Sequence, residues 1–133
     1  MPTVPFDVAG PSFLVLIGAG LGVAVLWFVA VVVIEAIVLT LMRWGRFWRS
    51  LRASLAMNAV TTVIGFFLVG ALLGLPPALW VAAAFVASVV LEWGVLDRMQ
   101  HQPGRRALVV SLVANVVTYV PLIVILFPLL REF

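Results

Sequence analysis

Polar residues interrupt this chain in few places, and the intervals between them are long and apolar. Four apolar stretches result, over 13–41, 53–75, 78–96 and 107–130, with a single Glu inside the first (Glu35) and another inside the third (Glu92). At about 1.5 Å per residue these stretches give helices of roughly 28–43 Å, against a bilayer hydrocarbon core of about 30 Å. A segment in lipid must satisfy its own backbone, so each is read as a helix. The pattern predicts an all-α integral membrane protein with four transmembrane helices. Pro11-Ser12 opens the first, Leu75-Pro76-Pro77 separates the second from the third, and Gln102-Pro103-Gly104 separates the third from the fourth. Pro121 predicts a kink in the fourth, which has Pro128 near its end. The first stretch is long enough to tilt or to project beyond the bilayer at its Glu35 end.

Composition agrees. Of 133 residues, 65% are hydrophobic and 10% charged, where a soluble domain has about 45–50% and 25%. One core of this size cannot hide that much apolar surface, and a disordered chain needs the opposite balance.

The charge is informative by position. All eight basic residues are Arg, a usage compatible with a GC-rich prokaryotic genome. Arg43, Arg46, Arg49 and Arg52 fall in a loop expected over 42–52, and Arg98, Arg105 and Arg106 in one over 97–106. The 75–77 connection has none. The positive-inside rule then places both basic loops in the cytoplasm and both termini outside, an N-out/C-out protein of the cell (inner) membrane. Basic clusters between apolar spans read as topology signal and lipid-headgroup contact, not as a nucleic-acid surface. Trp44, Phe47, Trp48 and Leu51 interleave with the first cluster, as in an interfacial aromatic belt or a short amphipathic helix. The N-terminus lacks a basic n-region and its apolar stretch is long, so signal cleavage is not expected.

A shift of 57 residues superimposes the first helical hairpin on the second. Residues 28–63 and 85–120 share 17 identities in 36 positions. The polar matches carry the argument: Glu35 with Glu92, Arg49 with Arg106, Ser54 with Ser111, Asn58 with Asn115, Thr61 with Thr118. The chain is therefore read as one membrane domain, 1–133, made by tandem duplication of a two-helix hairpin. The first unit covers about 13–75 and the second about 78–130. Each unit crosses the membrane twice, so the expected pseudo-two-fold axis lies along the membrane normal.

The duplicated polar residues are the candidate site. Each Glu and its Asn lie equally far from the intervening turn, hence at similar depth on neighbouring helices. Ser, Asn and Thr follow S-x3-N-x2-T, which places them on one helix face. Two uses follow. Asn can donate to the carboxyl and clamp the hairpin, with interhelical hydrogen bonds worth roughly 0.6–2 kcal/mol each. Alternatively Glu35 and Glu92 line a cytoplasm-facing proton or cation site, since ionisable groups within spans mark such pathways. Gly18/Gly22, Gly70/Gly74 and Ala83/Ala87 have the small-x3-small spacing that permits close helix packing.

Catalytic chemistry is poorly represented. There is no Cys, and the lone His101 lies in a polar loop; neither a metal site nor a cofactor is expected. Asp7 and Asp97 fall on opposite sides of the membrane. The expected function is non-enzymatic: an accessory, assembly or scaffold subunit acting through helix packing, with a small transporter or channel as the alternative. The expected partners are the lipid bilayer and either a second copy or a larger membrane complex.

Overall fold

A computed structural model describes residues 9–72, 76–100 and 104–130. It contains four helices: α1 (Ala9–Leu41), α2 (Phe47–Leu72), α3 (Pro77–Gln100) and α4 (Gly104–Leu130). Within them Gly20–Leu41, Phe47–Leu68 and Ala78–Met99 are long and apolar enough to cross a membrane. The chain divides into two compact units, Met1–Ala30 and Val31–Phe133. In the first, the described residues belong to the N-terminal part of α1. The second holds the end of α1 and the other three helices, with α3 packed against both α2 and α4.

Helix limits extend beyond the apolar stretches. The loop expected over 42–52 shrinks to 42–46, because α2 begins at Phe47, and α3 runs on to Gln100. Arg49, Arg52, Arg98, Arg105 and Arg106 therefore lie on helices. Arg is a strong helix former, and intrahelical bonding continues as readily at the headgroup level as in lipid. No separate interfacial helix forms either: Phe47 and Trp48 belong to the first turn of α2, edge-to-face at 5.7 Å. Trp44 departs furthest from the belt reading, being 2% exposed inside the core. α4 passes through Pro121 and Pro128 as one helix.

The end of α1 explains Trp44. Arg43 sits at φ 56°, in the left-handed region. Its N–H donates to the Thr40 carbonyl at 3.0 Å and that of Trp44 to the Leu39 carbonyl at 2.9 Å. This pair of bonds is a Schellman cap, with Arg43 where Gly is usual. The cap folds Trp44 back onto Leu39, joining a buried cluster with Ala53, Met57, Leu96, Ala107 and Val110.

In Val31–Phe133 the distribution of polarity is inverted. Glu35, Ser54, Glu92, Ser111 and Asn115 are at most 2% exposed, whereas Phe66 and Phe67 are 78% and 75% exposed. Water would select the reverse arrangement; hydrocarbon selects this one. The buried positions recur at the 57-residue shift: Val32 and Val89, Leu39 and Leu96, Ser50 and Ala107, Ala53 and Val110, Met57 and Ala114.

A Cβ on Gly70 would meet nothing within 4 Å, and Gly18 and Gly22 have nothing that close within their own unit. Gly74 lies outside the described residues, and Ala83 and Ala87 are half-buried. The closest approach among the described glycines is at Gly104. A Cβ there would come within 3.2 Å of Asp97 Oδ1, and its carbonyl accepts the Trp93 indole N–H at 2.9 Å. That pair seats the start of α4 on the end of α3.

Candidate functional site

Glu35 and Glu92 lie on α1 and α3, about 9 Å and 12 Å from the C-terminal ends of those helices at 1.5 Å per residue. α2 brings Ser54 and Asn58 to the first carboxyl. Ser54 Oγ lies 2.9 Å from Glu35 Oε2 and 3.0 Å from the Val32 carbonyl. Asn58 Nδ2 donates a short hydrogen bond to the same Oε2, and its amide is held in place by the Ser54 carbonyl at 3.0 Å. α4 repeats the arrangement for α3. Asn115 Nδ2 donates a short bond to Glu92 Oε2 and reaches the Ser111 carbonyl at 3.0 Å. Ser111 Oγ donates to the Val89 carbonyl at 2.9 Å. Every one of these partners stands 57 residues from its counterpart.

Thr61 and Thr118 depart from the expected stripe. Thr61 Oγ1 donates to Met57 O at 2.9 Å, and Thr118 Oγ1 lies 3.1 Å from Ala114 O. Both hydroxyls return to their own helix, a common use of Thr within helices, and the carboxyls are left to Ser and Asn.

Among the described residues each carboxyl takes its hydrogen bonds from neutral donors, which orient it. No known protein family, curated protein or solved structure matches the chain.

Two further features lie outside the Glu, Ser and Asn set. Ser88 and Tyr119, one turn from Glu92 and Asn115, share a hydrogen bond of 3.0 Å, and Phe85 packs edge-on against the Tyr119 ring at 5.2 Å. Shifted by 57 they correspond to Val31 and Thr62, so the comparison of repeats passes over them; the sequence clue is that Tyr119 is the chain's single tyrosine. The second feature concerns the basic residues. Arg49 donates to the Met99 carbonyl at 3.3 Å while lying 5.5 Å from the Trp44 ring centroid, a cation–π contact. Its counterpart Arg106 donates to the carbonyls of Met42 at 3.3 Å and Arg43 at 3.0 Å. Each Arg thus reaches the end of the other hairpin's first helix, where unpaired carbonyls and the helix dipole favour a cation. Arg49 and Arg106 are therefore structural straps.

Proposed function

We propose that the chain is a four-span protein of the prokaryotic inner membrane, a tandem duplication of one hairpin, acting through helix packing as an accessory, assembly or scaffold subunit. The observation that carries this reading is the use of Oε2 at both Glu positions by an Asn on the adjacent helix, at 1% and 2% exposure. Such residues clamp helices together, and lipid makes an unmade bond costly. The recurrence of buried positions and hydrogen bonds at the 57-residue shift supports the duplication, with its pseudo-two-fold axis along the membrane normal. The concentration of Arg at the α1–α2 and α3–α4 ends supports N-out/C-out. In a chain without cysteine, Arg46→Cys and Arg105→Cys should label from the cytoplasmic face and Pro76→Cys from the opposite face. Labelling of all three from one side would overturn the orientation.

A second reading is favoured by the burial of two ionisable carboxyls, Glu35 and Glu92, within long apolar helices: a small transporter or channel whose carboxyls serve a cytoplasm-facing proton or cation site. Glu35→Gln and Glu92→Gln separate the two. As clamps, the variants lower the melting temperature and yield of protein that carries no flux in liposomes and retains a second copy or another subunit by native mass measurement. As pathway residues, they leave the fold intact and abolish proton or cation flux that the unchanged protein supports.

A further inference from the structure

α2 turns one face to the core, where Ser50, Ala53, Ser54 and Met57 are buried. On the opposite face Trp48, Arg52, Leu55, Ala59, Val63 and Phe66 follow one another at steps of three or four residues, all exposed. Such steps keep them on one stripe along the helix. From Arg52 to Phe66 the stripe runs about 21 Å, longer than one leaflet of a hydrocarbon core about 30 Å thick. Beyond Arg52 it is apolar, and Ala59 lowers its relief between Leu55 and Phe66.

Arg52 is out of keeping with the rest of this stripe. It lies within the span-length segment Phe47–Leu68, about 7.5 Å beyond its first residue. Arg49, the other Arg of that segment, is engaged by the Met99 carbonyl and the Trp44 ring. Arg52 is exposed and makes no hydrogen bond, ion pair or ring contact among the described residues. A guanidinium at that depth snorkels to the headgroups. The anion within its reach there is a lipid phosphate, which its paired N–H donors fit.

The surroundings select the net charge of that lipid. Seven Arg gather at the α1–α2 and α3–α4 ends, with Asp97 the single acidic residue there among the described residues. The ammonium of a zwitterionic headgroup is repelled at such an end, and a headgroup of net negative charge is attracted. Trp48, one turn before Arg52, supplies an indole of the kind that settles at the headgroup level. The second hairpin lacks this arrangement. At the 57-residue shift Arg105 replaces Trp48, Val109 replaces Arg52 and Val116 replaces Ala59. The outward face of α4 therefore has neither an Arg at that depth nor the small residue beyond it.

We propose that the outward face of α2 is a binding site for one anionic phospholipid, its phosphate held by Arg52 beside Trp48 and an acyl chain lying over Ala59 towards Phe66. The site goes beyond the packing role proposed above and does not depend on the two clamps, which occupy the opposite face of α2.

The test uses the full chain, delipidated in mild detergent, and native mass measurement of bound lipid. The probes are phosphatidylglycerol and phosphatidylcholine with identical acyl chains; inorganic phosphate and deacylated glycerophosphoglycerol serve as competitors. The first phosphatidylglycerol should bind about fivefold more tightly than the first phosphatidylcholine, the effect of roughly one basic side chain at an anionic surface. Arg52→Gln should remove that preference, and Arg105→Gln, at the exposed counterpart of Trp48, should retain it. Neither competitor should displace the lipid, because neither has a chain to lay along the stripe. A preference that survives Arg52→Gln, or displacement by either competitor, overturns the proposal. Equal affinity for the two lipids also overturns it while leaving α2 a span, and that comparison is made on the unsubstituted protein, so it is decisive even if a variant fails to fold.

Discussion

Asn115→Leu should lower the unfolding free energy by about 2–3 kcal/mol, the cost of leaving a buried carboxyl without its donor. Replacing Glu92 and Asn115 by Leu together should recover most of that loss, because removal of both partners leaves nothing unsatisfied. The prediction follows from geometry: Asn115 supplies the short bond to Glu92 Oε2 from a side chain 1% exposed. Ser111 already donates its hydroxyl proton to Val89 O. Titration with SDS in mixed micelles, followed by tryptophan fluorescence, completes the double-mutant cycle. Equal destabilisation by the single and double substitutions would dismiss the clamp, since the loss would then come from side-chain volume alone.

The second large effect concerns the solvent. Val86 on α3 is 58% exposed, and an exposed position on a water-facing helix tolerates Asp within about 0.5 kcal/mol. In the middle of a span, Asp costs about 2.5–3.5 kcal/mol on insertion scales. Val86→Asp should therefore displace much of the protein from the alkali-resistant membrane fraction. Trp48→Asp, at a residue 72% exposed in the first turn of α2, should do so far less, because water and headgroups reach that end. Equal and negligible effects at the two positions would contradict the reading of α3 as a span.

Much of the architecture was legible from the chain. Apolar run length was sufficient for the helices, because lipid permits few alternatives for an unpartnered backbone. The pairing of Glu35 with Asn58 and of Glu92 with Asn115 was legible too, since equal distance from a turn means equal depth. What escaped the reading depended on local conformation. Trp44 looked like a belt residue because nothing in the run of letters announces a left-handed cap at Arg43, a conformation associated with Gly. The threonines shared a face with the asparagines, yet a hydroxyl on a helix can always return to the carbonyl one turn back. The close approach at Gly104 arises from Asp97 and Trp93 and has no motif. Ser88 and Tyr119 stood outside the repeat and so outside its logic.

The straps have a consequence for cooperativity. Arg106 finishes the end of α1 and Arg49 the end of α3, so neither hairpin contains all the groups that terminate its own first helix. Loss of one half deprives the other of a capping donor as well as a neighbour. The molecule should therefore come apart in one step, and a hairpin expressed alone should recover the missing contacts by pairing with its twin.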